Sequence, residues 1–453
     1  MPPMEWTMVQ KGQRVSAFDR SVGDGRGRIP TMRMLFSLWL ALYALLGTLL
    51  WMGATGRAES SDRDSLNVLS DERVNPYADL RAKPYEYHGP ERELEEPMDV
   101  EEVRIGLFGP LKRRRAASGG LSMRRGAELA LAEANAEGGY RGKPFKLVFR
   151  SDDQIWGSAR EVAKLVYEDS VWAVMGSIGS QSTHIAEQII TKAHVPLIGP
   201  AATDPSLTQI NIPWMFRCMP DDEHIARVLG THIFRAKGHQ KVAAIAAKTS
   251  DSRIAVAEFE KMARRLGTPL VLSLKFDPGE QDFSHPLRVI ERVGVQALVI
   301  WGQPEEATRL IRQMRERGMS QEIFGGPQLA FPAFLKRAGP FAEGVTVIAP
   351  CDLWRDDPLL QTFRRRFSER YGESPDVIAA YAYDGMNLLI RAIRAGGLNR
   401  AKIRDALAGV EVFHGVTGEI RFDGSGSNVS PPILTVIRDG RFVPLRQRPL
   451  GAR

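Results

Sequence analysis

From Val103 to Leu445, short apolar runs alternate with amphipathic stretches, and segments rich in Gly, Ser and Thr lie where the runs end. Residues 103–108 read as a strand. The spacing of Ala127, Ala130, Leu131 and Ala134 at i, i+3, i+4 and i+7 predicts a helix over 123–136, which Gly138-Gly139 stops. Strand 146–150, helix 159–168, strand 171–175, helix 184–193 and strand 195–198 continue the alternation. Strands separated by helices of this length predict a parallel sheet with right-handed crossovers. The pattern restarts with strand 241–246, helix 254–266, strand 270–274, helix 283–292, strand 297–301 and helix 305–317. The fold class is therefore α/β, with two doubly wound units in succession. Residues 358–410 read as largely helical. Short strands at 419–422, 433–438 and 441–444 close the pattern, the last two around the turn Asp439-Gly440.

The chemistry concentrates in VWAVMGSIGSQSTHIAEQIITKAHVPLIGPAATDPSLT, residues 171–208. A buried strand ends in a Gly/Ser loop that opens a helix, and a second strand ends in Ala201-Ala202-Thr203-Asp204. Two strand ends and one helix N-terminus converge on a spot rich in hydroxyls and backbone N–H groups. Such a spot suits a carboxylate, and it lies beyond the carboxyl ends of the strands, where open parallel sheets hold ligands. It offers no nucleophile–base pair and no metal set. A site that holds a small molecule without transforming it fits these residues.

Length and charge narrow the class further. The 453 residues suggest two or three domains, and 43% hydrophobic with 25% charged residues is a globular composition. The net charge of +7 includes the clusters Arg113-Arg114-Arg115 and Arg364-Arg365-Arg366. No aromatic residues interleave with them, so nucleic acid is not an expected partner. Residues 34–52, MLFSLWLALYALLGTLLWM, follow Arg33 and precede small residues, the pattern of an export signal. The apolar segment is long enough that an uncleaved membrane anchor stays open. Both readings place the remainder outside the cytoplasmic membrane. Residues 1–31 resemble no signal n-region and fit an overlong start. Residues 59–102, acidic and without periodicity, read as a linker or loosely packed arm. Only Cys218 and Cys351 are present, which permits one disulfide or two buried thiols. The histidines show no ligand spacing, and there is no Gly-x-Ser-x-Gly elbow or Walker loop. No metal, cofactor or enzymatic activity is expected.

Read in order, IGLFGPL at Ile105, RRGAELALAEANAEGG at Arg124, SDD at Ser151, AVMGSIGSQSTHIAEQI at Ala173 and VPLIGPAATDPSLT at Val195 carry a resemblance. QDFSHPLRVIERVGVQALVIWG at Gln281, YAYDGMNLLIRAIRAGG at Tyr381 and GVTGEIRFDGSGS at Gly415 complete it. Residues 103–445 resemble the type I periplasmic solute-binding proteins of branched-chain amino-acid ABC transporters, the leucine/isoleucine/valine-binding group. The resemblance implies two lobes joined by three crossovers: 103–218 with 351–418, and 219–350 with 419–447, preceded by 1–58 and 59–102. It implies a ligand in the cleft, trapped by hinge closure, and an ABC permease as partner.

By the same resemblance, Ser180, with Gln181 beside it, matches the position that grips a ligand α-carboxylate, although a Ser that begins a helix also serves as an N-cap. Ala201, Ala202 and Thr203 match the segment whose carbonyl and hydroxyl receive the α-ammonium. Departures are plain. Asp251 stands where amino-acid binders place a Tyr, and Gln328 where many carry an acid. Gly119 replaces the aromatic of the first loop, beside Arg113, Arg114 and Arg115, and Ile155 and Gly179 replace the cysteines of a first-lobe disulfide. Loss of the acid weakens the case for a zwitterion, and the arginines favour an anion. Trp156 and Trp301 either pack in the core or stack on a flat ligand. Cys218 and Cys351 fall at the first and second crossovers, so a disulfide stapling the hinge is expected. The reading is a solute-binding protein for a small carboxylate-bearing ligand, an amino acid or a related organic acid or amide. The rivals are a membrane-anchored sensory module of the same fold, a hydrolase, and a partner-binding protein with a degenerate cleft.

Overall fold

Strands β1 (Val103–Gly109), β3 (Ala173–Met175), β4 (Leu197–Gly199) and β5 (Met215–Arg217) are apolar on both faces because helices cover both faces of their sheet. With β2 (Phe145–Ser151) at one edge they form an all-parallel sheet in the order β2-β1-β3-β4-β5. The computed structural model describes residues 87–110, 117–152 and 157–445, all within one compact unit, Val74–Arg453. The apolar segment 34–52, Arg113, Arg114, Arg115 and Trp156 lie outside the described residues. Among the described residues, no helix is long and apolar enough to cross a membrane.

Helices α1 (Ala117–Ala136), α2 (Gly157–Tyr167), α3 (Ser180–Lys192) and the short α4 (Ser206–Gln209) connect these strands. Helix α1 begins earlier than the apolar spacing predicts. Gly119 therefore lies inside a helix and not in a loop. A Cβ there would meet Ile178 Cδ1 at 2.9 Å and Ile378 Cδ1 at 3.2 Å, so the position is set by packing. Helix α11 (Val377–Gly396) lies along α1. A Cβ at Gly126 would fall 2.1 Å from the Ala379 carbonyl oxygen, so only glycine lets the two helices approach this closely.

The second sheet has the order β14-β13-β10-β9-β8-β6-β7. Its parallel part is β6 (Val242–Ala247), β7 (Leu272–Phe276), β8 (Ala297–Trp301), β9 (Glu322–Gly325) and β10 (Thr346–Ala349). The hairpin of β13 (Ile433–Arg438) and β14 (Arg441–Pro444) adds two antiparallel strands at one edge, so this sheet is mixed. Helices α5 (Asp222–Gly230), α6 (Ser250–Arg265), α7 (Ser284–Val293), α8 (Pro304–Glu316) and α9 (Pro332–Ala338) surround it. Strands β5, β9 and β10 have three or four residues, too few for any periodicity to show, and the apolar pattern does not predict them.

The chain passes between the sheets three times. It does so from β5 to α5, from β10 to α10 (Pro358–Tyr371), and from the small hairpin of β11 (Phe413–Gly415) and β12 (Gly418–Ile420) to β13. Arg217 knots the first and third passages. Its side chain is fully buried and donates to the Asp204 carbonyl at 2.6 Å, Thr208 Oγ1 at 3.0 Å, Asp221 Oδ2 at 2.7 Å and Ser427 Oγ. Asp384 of α11 anchors the hairpin by accepting from Val416 N, Thr417 N and Thr417 Oγ1. Burial pushes its carboxyl up to about 6 against the pull of those three donors. The expected Cys218–Cys351 bridge is not formed. Both thiols are free and buried in the first core, Cys218 beside Gly385 and Cys351 by the Tyr381 phenol.

Residues 87–102, part of the stretch 59–102 read as a linker or loosely packed arm, stay largely exposed but make specific contacts with the first unit. Tyr87 meets Trp214 edge-on at 4.7 Å, Tyr140 donates to Glu96 at 2.6 Å, and Arg92 pairs with Asp405. Asn399 closes the contact. Its Oδ1 caps helix α12 (Arg400–Ala408) by accepting from Lys402 N, and its Nδ2 donates to the carbonyls of Glu91, Arg92 and Leu94. An N399D variant keeps the capping oxygen but turns the three donations into repulsions. It should expose residues 87–98 to limited proteolysis while leaving helix α12 protected. N399A should lose the cap as well, at about 1 kcal/mol in urea unfolding.

Candidate functional site

The loop between β3 and α3 sets the site. Gly176 has φ 133°, and a Cβ there would fall 2.1 Å from the Phe108 carbonyl oxygen, so the turn demands glycine. Thr183 Oγ1 accepts from Ser177 N at 3.1 Å and donates to the Gly179 carbonyl at 2.9 Å, which fixes the first turn of α3. The N-cap is Gly179, with no side-chain cap, so Ser180 does not cap the helix. Its buried hydroxyl instead accepts from Asp204 N at 3.2 Å, which ties the first strand-end loop to the second.

Asp251 approaches from the other sheet. It lies in the first turn of α6, whose N-cap Thr249 accepts from Ser252 N. Its Oδ1 accepts from Ser180 N at 3.3 Å, and its Oδ2 stands 3.8 Å from the Cβ position of Gly179. The N-termini of α3 and α6, both at carboxyl edges of their sheets, thus face each other across this bond.

Thr203 donates from Oγ1 to Asp222 Oδ2 at 3.0 Å, and its carbonyl accepts from Asp222 N at 2.9 Å. Ala202 is core, with 1% exposure, and Ala201 packs at the edge of the first core. Gln181 is exposed. In the second sheet, Trp301 ends β8 as a core side chain packed against Phe259, ring centroids 5.2 Å apart. Gln328 lies in a short 3-10 turn over Pro327–Ala330. Trp301 Nε1 and Gln328 Oε1 lie 2.8 and 3.2 Å from the Cβ position of Gly326, and neither has a hydrogen-bond partner among the described residues.

The site is rich in carboxylates. Burial pushes Asp251 above the usual carboxylate range, opposed by the Ser180 N–H and reinforced by Asp204. Burial pushes Asp222 well above that range, with the neighbouring Asp251 and Asp221 adding to it. Burial would also raise Asp221, but the hydrogen bond from His224 and the Arg217 charge hold it well below.

Sequence spacing gave no sign of one further constellation. His184 Nδ1 lies 2.9 Å from Glu187 Oε2, and its Nε2 lies 3.1 Å from Asp204 Oδ2 and 3.2 Å from Ser206 Oγ. A serine, a histidine and a carboxylate in reach of one another have the outline of an acyl-transfer relay. The protonation is wrong for one. Burial alone would lower the imidazolium pKa, but the bonds to Asp204 and Glu187 outweigh it and hold it up to about 9. A protonated imidazole cannot take the Ser206 proton, which is already directed to Asp204 Oδ1 at 2.7 Å. Among the described residues, no group of three or more His, Cys, Asp or Glu could hold a metal ion.

The His184 bridge predicts a pH dependence. Its pKa is about 6.5 in the unfolded chain and about 9 in the folded one. The stabilisation is therefore complete below about pH 6.5 and lost as pH rises through about 9. Urea midpoints of the wild-type chain should fall across that window, and those of H184Q should not. Parallel curves for the two proteins would remove His184 as the cause.

The chain is similar to known proteins over most of its length. A family model described as periplasmic binding protein matches residues 102–440. A Leu/Ile/Val-binding protein homolog from Brucella abortus is 29% identical over 341 residues, covering 75% of this chain and 91% of that protein. The crystal structure of a branched-chain amino-acid transporter substrate-binding protein from Streptococcus pneumoniae, in complex with isoleucine, superposes with a TM-score of 0.68. It is 25% identical and covers 76% of this chain and 99% of its own. An ABC transporter substrate-binding protein from Desulfitobacterium hafniense in complex with Leu gives a TM-score of 0.66 at 26% identity, covering 76% and 100%. The chain belongs to the periplasmic binding protein family and has the fold of its type I members.

Proposed function

We propose that this protein is the extracytoplasmic solute-binding component of an ABC importer. It holds a small solute, an amino acid or a related organic acid or amide, between two lobes. The bond from Ser180 N to Asp251 carries the reading, because it joins the carboxyl edges of the two sheets where such a solute would sit. Relatives named for binding branched-chain amino acids or for substrate-binding in ABC transport support it.

Closure follows from the same layout. The lobes are 103–218 with 351–422 and 219–350 with 433–445, so the 418/419 boundary read from the sequence moves past β12, and three passages connect them. Rotation about those passages separates Ser180 and Thr203 from Asp251, Trp301 and Gln328, and opens the cleft. A solute that touches both sides binds the closed form better and shifts the population toward it. The closed form presents one surface to a permease, and release follows reopening. Nothing in this cycle needs a nucleophile.

A thermal-shift screen of the purified full chain against amino acids, aliphatic and aromatic carboxylates, amides and urea tests the reading. A true solute at a hundredfold excess over Kd should stabilise the fold by about 2.7 kcal/mol. Small-angle scattering should show a smaller radius of gyration with that solute. A folded protein that responds to no class would point to a role other than solute capture.

A further inference from the structure

Two groups at the first-sheet side of the cleft that could receive a solute carboxylate, the Ser180 N–H and the Thr203 hydroxyl, are engaged by this chain's own acids, and the Ser180 hydroxyl is met by a backbone N–H. Ser180 N donates to Asp251 Oδ1, Ser180 Oγ accepts from Asp204 N, and Thr203 Oγ1 donates to Asp222 Oδ2. The seat at the start of α3 thus holds a carboxylate supplied by α6. A solute carboxylate would have to displace Asp251 and then sit beside it, with Asp204 close by. Like charges brought together in a desolvated site repel strongly.

The opposite wall adds a separate observation. Trp301 is 1% exposed, and its Nε1, a donor, has no partner among the described residues. Gln328 Oε1, a buried acceptor, has none either. Both converge on Gly326, at the carboxyl end of β9. Strand β8, which Trp301 ends, lies between β9 and β6, and β6 leads to Asp251. This edge therefore offers acceptors in Asp251 and Gln328 and a donor in Trp301. An amide group supplies the complement, N–H groups for the first two and a carbonyl for the third.

We infer that Asp251 determines the specificity of this cleft: it fills the carboxylate seat at Ser180, excludes solutes with a free carboxylate, and selects carboxylate-free solutes that offer amide N–H groups. The inference rests on the solute-binding reading above and narrows it.

Calorimetric titration of the full chain with matched pairs tests it: leucine and leucinamide, phenylalanine and its amide, acetate and acetamide. The wild-type chain should prefer the amide of a pair by about a hundredfold or more. D251S removes the resident carboxylate and frees the Ser180 N–H. It should tighten binding of the carboxylate member and weaken that of the amide, so that the preference reverses. D251N keeps the shape without the charge and should fall between the two. It also supplies the answer if D251S fails to fold. Wild-type protein that binds the carboxylate at least as tightly as the amide overturns the inference and leaves the solute-binding reading standing. So does a preference that neither substitution moves. Folded variants that bind no member of any pair overturn both together.

Discussion

A guanidinium buried in the interior must be met by acceptors on several sides, or the fold loses several kcal/mol. Arg217 imposes that condition where the first sheet ends. Its partners are the Asp204 carbonyl and Thr208 in the site loop, Asp221 at the start of α5, and Ser427 in the last passage between the sheets. One charge therefore ties the two segments that flank it in sequence to a third 210 residues away. The Arg217 backbone joins in, its N–H donating to the Gly426 carbonyl and its carbonyl accepting from Asn428 N. The position of Asp204, and through it of the Ser180 hydroxyl, follows from this knot.

The second consequence is electrostatic. Asp204, Asp221, Asp222 and Asp251 crowd one region, and burial works to raise the pKa of each. Asp204 and Asp221 stay low because His184, Ser206, His224 and Arg217 meet them. Asp222 and Asp251 are met by a hydroxyl and backbone N–H groups, and both are pushed up. The two acids without a cationic partner are those that meet Ser180 and Thr203. Its character is set by this imbalance more than by any single residue type.

Besides the Arg217 knot, the passages between the sheets rest on contacts among largely uncharged groups. Tyr381 donates to the Pro350 carbonyl, Asn428 Nδ2 to the Cys218 carbonyl, and Asp384 holds the β11–β12 turn. Burial pushes both thiols and the Tyr381 phenol up, which keeps them protonated. These contacts lie where rotation of one lobe against the other would pivot, and they need no covalent staple between Cys218 and Cys351.

Apolar periodicity alone determined the two α/β units, most of their helices, and the strands long enough to show a pattern, such as β1, β6 and β8. Residue types, rather than periodicity, mark the Gly/Ser loop between strand and helix around which the proposed site is built. The three- and four-residue strands β5, β9 and β10 were not legible, since their order depends on neighbours in the sheet and not on local spacing. The docking of residues 87–102 was hidden for the same reason, as Asn399 and Tyr140 lie far along the chain. Only the tertiary structure decided what Ser180 does. The sequence shows a serine at a helix start, and capping is the local expectation. Its hydroxyl turned to Asp204, and its N–H met a carboxylate 71 residues away. Hydrogen-bond partners at such distances are chosen by how the two sheets pack, and no window of sequence contains both ends of the bond.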